Sequence, residues 1–200
     1  MKQKVKTALI SVSDKTDLSK VLKTLKNYNV KIISSGGTFK SIKQLGYDCT
    51  EVSDYTGFKE MLDGRIKTLH PKIHAGILHD RSNKKHSKEM SKKKFPSLDL
   101  IIVNFYPFQK IVTNSKNDKE IIENIDIGGP TMVRSAAKNY KNVLIITNKN
   151  DYPDLTKEIE KNKGSTTLNF REYMSCKAFG LTAYYDAMIA NWFNEKLNIK

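Results

Sequence analysis

Two hundred residues with a mass of 22.8 kDa and 38% hydrophobic content suffice for one well-cored domain, or at most two small ones. With a mean hydropathy of −0.52, no apolar run approaches the roughly 20 residues that cross a bilayer. Thr7–Ile10 is too short an apolar stretch for a secretory signal. The formal charge of +14 invites a nucleic-acid reading, yet only four of the 35 basic residues are arginine (Arg65, Arg81, Arg134, Arg171). The densest run, Lys84 to Lys94, has none of the interleaved aromatics that stack single-stranded bases. It reads as a solvated loop, and no nucleic-acid or membrane partner is expected. Cys49 and Cys176 form neither a disulfide framework nor a paired metal motif, so a cytoplasmic location with reduced thiols is expected.

In chain order, Thr7–Val12 is short, apolar and β-branched, a first strand. Ser13 or Asp14 can cap the following helix, whose apolar positions Leu18, Val21, Leu22 and Leu25 keep helical spacing. Val30–Ser34 is a second strand; the Ser35-Gly36-Gly37-Thr38 turn opens a helix that Gly46 closes, and a third strand lies near Cys49–Val52. Buried strands recur at 98–103, after the Lys-rich loop, and at 142–146, with a helix over 118–124 between them. Beyond Asp151 the pattern predicts helices only, over 151–162 and 167–197. Strand and helix alternate, so the fold class is α/β: a parallel sheet in three layers, with C-terminal helices. Residues 1–150 form the α/β core and 151–200 a helical extension.

Three stretches carry chemistry. In Ser34-Ser35-Gly36-Gly37-Thr38 a strand turns through glycines into a helix, aiming free N–H groups and a positive dipole end at one point, a cradle for phosphate. Ser13-Asp14-Lys15 ends the first strand on the same carboxyl edge, where open α/β sheets bind ligands. In Asp126-Ile127-Gly128-Gly129-Pro130-Thr131, Pro130 suits a first helical position; Thr131, Arg134 or Ser135, and Lys138 then share a face. That face would bring Lys138 toward a group bound near the helix start, with Asp126 in the loop that feeds it. The bland alternative is an Asp–Lys surface pair. The third stretch, Asp63 to His74, crowds cations and hydroxyls with little apolar periodicity. His70 and His74 are four apart, as metal ligands would be, but no cysteine or carboxylate stands beside them. A helix-start histidine pair is the simpler reading, and no metal is expected. Asn104-Phe105-Tyr106-Pro107-Phe108 ends a buried strand at the ligand edge, where Asn104 and Tyr106 offer polar groups to a heterocycle.

These blocks, with Val12-Ser13-Asp14-Lys15, Glu51 to Phe58 and Arg65-Ile66-Lys67-Thr68-Leu69-His70-Pro71-Lys72, occur in one order over nearly the whole chain. Together they resemble the IMP cyclohydrolase domain of the bifunctional purine-biosynthesis proteins, whose fold is similar to methylglyoxal synthase. Phe105 stands where leucine is expected, and Ala75 where glycine is frequent. The family usually continues into an AICAR transformylase domain, which is expected to be absent from a chain ending at Lys200.

The resemblance implies closure of 5-formamido-imidazole-4-carboxamide ribotide (FAICAR) to IMP and water, without cofactor, in a homodimer. It implies Lys138 as proton donor and acceptor, with Asp126 and Tyr106 positioning or relaying protons. Lys67 and the N–H groups of Gly128 and Gly129 would face the oxyanion. The 5′-phosphate would lie against Ser13, Lys15, Ser35, Gly36, Gly37, Thr38, Lys67 and Thr68. Arg65, Asn104, Asp126 and Ile127 would face ribose and base, and Asp14, Ile66, Val103, Gly128 and Gly129 complete the expected contacts. Two other readings share the fold: a nucleotide-sensing regulatory domain, and a methylglyoxal-synthase-type lyase.

Overall fold

The computed structural model describes residues 2–199. Its centre is a five-stranded parallel sheet in the order β4-β3-β2-β5-β6, built from β2 (Thr7–Val12), β3 (Lys31–Ser34), β4 (Thr50–Glu51), β5 (Leu100–Asn104) and β6 (Leu144–Ile146). The register runs Ala8↔Leu100 to Val12↔Asn104 on one side of β2, and Thr7↔Lys31 to Ile10↔Ser34 on the other. Ala8, Leu9, Ile10, Leu100, Ile101 and Ile102 are all buried, because helices cover both faces of a parallel sheet. The chain steps one way from β2 to β3 and the opposite way from β5 to β6. The order therefore reverses between β2 and β5, and a crevice opens there at the strands' carboxyl ends.

The helices follow the sheet. α1 (Leu18–Asn27) buries Leu18, Val21, Leu22 and Leu25, the predicted stripe, and packs on α9 (Tyr152–Lys161). α2 (Gly36–Gln44) follows β3, and α3 (Val52–Thr56) follows β4. α4 (Pro71–Leu78) and α10 (Leu168–Leu197) both pack on α8 (Gly128–Lys138). α6 (Phe108–Asn114) and α7 (Asp118–Glu123) join α10 in a second cluster around Phe108, Ile121, Tyr185 and Trp192.

Four local expectations are corrected. The C-terminal segment is not purely helical: β7 (Ser165–Thr167) pairs antiparallel with β1 (Lys2–Lys4). Both strands are short and polar, and backbone bonding between distant segments rather than a hydrophobic alternation creates them. The Lys-rich run is not a loop but α5 (Lys84–Lys93), capped by Asn83, whose side chain accepts from Lys85 N at 2.9 Å; Met90 is its only buried residue. α1 starts after Asp17 in a left-handed conformation, not at a Ser13 or Asp14 cap. Asp14 instead closes a turn on Thr16, accepting from its N–H at 2.9 Å. α8 begins at Gly128, so Pro130 is its third residue, where a missing N–H is still harmless.

Candidate functional site

A cleft of about 710 Å³ occupies the crevice at the sheet's switch point. Its walls are the β2 turn (Ser13, Lys15), the β3–α2 turn (Ser35, Gly36, Gly37, Thr38), the 63–68 segment, the end of β5 (Val103, Asn104, Tyr106) and the entry to α8 (Asp126 to Gly129). The N-termini of α2 and α8 both open into it, so unpaired N–H groups and two positive dipole ends converge on one anion-sized region.

Glycine is required at particular points. Gly36 has φ +53°, and a Cβ there would stand 2.7 Å from Lys67 Nζ. The left-handed turn disfavours a side chain there, and a Cβ would also push the Lys67 ammonium aside. A Cβ on Gly128 would lie 2.5 Å from Thr68 Oγ1, and one on Gly129 would lie 2.3 Å from Asp126 Oδ2. Lys67 and Thr68 are thus drawn to the two glycine turns from a third direction. Leu62, Asp63 and Gly64, three consecutive residues with positive φ, make the bend that returns the 65–68 segment over the cleft. A left-handed Leu is costly, and such local strain concentrates at sites.

The electrostatics are specific. Asp126 Oδ1 accepts from Gly129 N at 2.8 Å, while burial holds its carboxyl above the ordinary range and the Gly129 N–H opposes that shift. Lys67 Nζ pairs with Glu60 Oε2 at 2.9 Å, and Arg65 grips Glu123 through two nitrogens. Glu60 and Glu123 are lowered by these partners. Neither was legible beforehand: Glu123 is 58 residues from Arg65, and only the fold makes them neighbours. Tyr106, 56% exposed, and Ile127, 58% exposed, stand at the rim.

Several expected contacts have other duties. Asn104 is partly committed within the chain: its Oδ1 accepts from Ser13 N at 2.6 Å and Ser13 Oγ at 2.9 Å, and its Nδ2 donates one hydrogen to Asp14 O at 3.0 Å, while the residue still lines the cleft. It clamps the β2 turn. Thr38 Oγ1 accepts from Val12 N at 3.0 Å and donates to Val12 O at 2.9 Å, so it fastens α2 to β2. Asp14 is outside the cleft wall and pairs with Lys149 at 2.8 Å. Ile66 is also absent from the wall. Lys138 lies apart from this cleft. It is exposed, ends α8 about 15 Å along the axis from Gly128, and lines a separate depression with Leu78, Arg134 and Phe179. Sharing a helix face with Thr131 does not shorten that axial distance.

The histidine pair is structural. His70 caps α4 by accepting from Lys72 N at 3.1 Å, and His74 Nδ1 faces Ser135 Oγ at 3.4 Å. No group of three or more potential metal ligands exists among the described residues. No helix among them is long and apolar enough to cross a membrane.

Most residues lining this cleft fall within the region that a family model describes. Residues 17–131 match the "MGS-like domain". The chain belongs to the MGS-like domain family. Residues 136–200 continue into a match to the "AICARFT/IMPCHase bienzyme". Among curated relatives, "Bifunctional purine biosynthesis protein PurH" of Bradyrhizobium diazoefficiens is 47% identical over 197 residues, 98% of this chain. The protein of the same name from Oceanobacillus iheyensis is 50% identical over 189 residues, 94% of this chain. The chain spans 37% of the length of each. A solved structure, "Crystal structure of ForH", superimposes with a TM-score of 0.84 at 28% identity, covering 94% of this chain and 99% of that one. The parallel α/β sheet read from the alternation of strands and helices and the MGS-like fold implied by the resemblance are therefore the observed ones.

Proposed function

We propose that this MGS-like domain acts in purine biosynthesis as an IMP cyclohydrolase, closing FAICAR to IMP and water. The observation that carries the reading is the convergence of Lys67, Asp126 and Tyr106 with the N-termini of α2 and α8 in one cleft. The chain as a whole is 47% and 50% identical to two PurH proteins, which supports the same reading. A cytoplasmic homodimer belongs to the same reading.

The chemistry asks little of a cofactor. The carboxamide nitrogen attacks the formyl carbon of the same molecule, so orientation removes most of the entropic cost. One C–N bond forms, and the formyl oxygen leaves as water with two hydrogens given up by the carboxamide and formamide nitrogens. Lys15, Lys67, Ser35 and the N–H groups at Gly36 and Gly37 hold the 5′-phosphate, and Thr68 adds a hydroxyl beside Gly128. The positive N-terminus of α8 faces the oxyanion that develops on the formyl oxygen. Asp126, its proton affinity raised by burial, is suited to take a proton from nitrogen and return it to the departing oxygen. Tyr106 stands at the mouth of the same cleft with a hydroxyl for that transfer. This mechanism uses the groups the cleft contains and leaves Lys138 outside it.

Purified protein incubated with FAICAR should produce IMP, followed in the ultraviolet. Saturating IMP at about 100 times its Kd should stabilise the fold by roughly 2.7 kcal/mol. Binding of IMP without turnover of FAICAR would favour the nucleotide-sensing reading. Conversion of a triose phosphate instead would favour the lyase.

A further inference from the structure

Tyr185 stands on α10, far from the cleft in sequence, yet it touches two of the cleft's walls. We propose that Tyr185 is a positioning residue for the reaction proposed above, its hydroxyl holding the backbone of Asp126 and its ring holding the segment that carries Tyr106. The inference rests on that reading of the cleft.

The Tyr185 hydroxyl oxygen accepts from Asp126 N at 2.8 Å, across 59 residues of sequence. Asp126 lies in the loop before α8, where no regular backbone ladder supplies an acceptor for its N–H. A buried N–H without a partner is costly, so the phenol oxygen has a definite task that packing alone would not give it. On the other side, the Tyr185 ring lies 4.9 Å from Phe105, tilted by 55°, and 6.1 Å from Phe108, edge-on. Phe105 and Phe108 bracket Tyr106. Tyr185 is 2% exposed and belongs to the second hydrophobic cluster with Phe108, Ile121 and Trp192, so its ring has little freedom to turn. One side chain therefore fixes the spacing between the Asp126 turn and the Tyr106 segment. Phenylalanine would satisfy the cluster, but only tyrosine also reaches the turn.

The electrostatics give a readout that packing would not move. Asp126 is shifted by burial and by the Gly129 N–H, with no charged side chain contributing. Tyr185 faces it, pushed up chiefly by burial, with the Asp126 N–H bond opposing that shift and the Asp126 and Asp186 charges adding to it. When the hydroxyl is lost, the turn opens to water and the Asp126 carboxyl titrates nearer its ordinary range.

The test is Tyr185→Phe, which keeps the ring and removes the oxygen. The expected result is a kcat for FAICAR about 10- to 100-fold lower, a KM within about twofold, and an Asp126 carboxyl that titrates at lower pH by ¹³C NMR. Tyr185→Leu removes the ring as well and should lower kcat further than Tyr185→Phe. Wild-type-like kcat with an unchanged Asp126 titration in folded Tyr185→Phe would overturn the proposal. Should the wild-type protein fail to convert FAICAR, the cyclohydrolase reading falls on its own. The Asp126 titration then still decides whether Tyr185 positions this carboxyl: a downward shift supports the proposal and an unchanged one overturns it.

Discussion

Gly129→Ala sets stability against activity. The added Cβ would meet Asp126 Oδ2 at 2.3 Å, Cγ at 3.0 Å and Oδ1 at 3.2 Å, where ordinary contact begins at 3.4 Å. The whole carboxyl must withdraw by about 1 Å and release its hydrogen bond from Gly129 N, now 2.8 Å. A displacement of that size at a reacting group costs about 100-fold in rate. Stability behaves differently. Gly129 is the second residue of α8 and has no positive φ, so alanine gains up to about 1 kcal/mol of helix propensity. That offsets a hydrogen bond with a net worth of about 0.5–1.5 kcal/mol. The expected outcome is a Tm within about 4 °C of wild type, since 1 kcal/mol moves Tm by about 2–4 °C in a chain of this size. The kcat for FAICAR should be about 100-fold lower. Parallel melting curves and initial-rate measurements decide the matter. A folded Gly129→Ala protein turning over FAICAR within about threefold of wild type would refute the role given to the Asp126 carboxyl.

Three further substitutions probe the cleft. Lys67→Ala, which removes the ammonium beside Gly36, should raise the Kd for IMP by at least about tenfold and lower kcat as well, as calorimetry and initial rates would show. Lys138→Ala should leave kcat within about threefold, because Lys138 ends α8 outside the cleft; a loss of about 10² to 10⁴ would show that the cleft of a single chain is not catalytically complete. Asp126→Asn tests linkage: burial raises the folded carboxyl pKa, so the aspartate's contribution to stability is whole below about pH 3.9 and is lost as pH rises through the folded value. Asparagine does not ionise, so the Tm of Asp126→Asn minus that of wild type should grow between about pH 4 and 7, with turnover at least about 100-fold lower; a pH-independent difference would contradict the buried, strained carboxylate.

Local pattern determined much of this protein. The apolar runs of Thr7–Val12 and 98–103, the stripe Leu18-Val21-Leu22-Leu25, and the two glycine turns each act within a few residues, so strand, helix and cradle follow from near-neighbour sterics and burial. The ligand-bearing carboxyl edge follows too, because alternating strands and helices place every strand end on one side of the sheet; the strand order that reverses between β2 and β5 does not. Tertiary structure decided what depends on distance. β1 and β7 exist because backbone groups far apart in sequence pair, Lys2 with Thr167, Gln3 with Thr166 and Lys4 with Ser165, not because either segment is patterned. Asn104 and Thr38 became fasteners of the β2 turn and of α2 because β5 and α2 lie beside β2: the Thr38 hydroxyl pairs with buried backbone of Val12, and the Asn104 amide bonds the Ser13–Asp14 turn. Lys138 left the cleft because a helix advances about 1.5 Å per residue, and a shared face says nothing about depth along the axis. Glu123 and Tyr185 entered the site's surroundings through contacts across 58 and 59 residues that no local spacing encodes. Charge pairs and buried hydroxyls are set by which distant segments the packed core brings within a few ångströms, and that is a property of the whole fold.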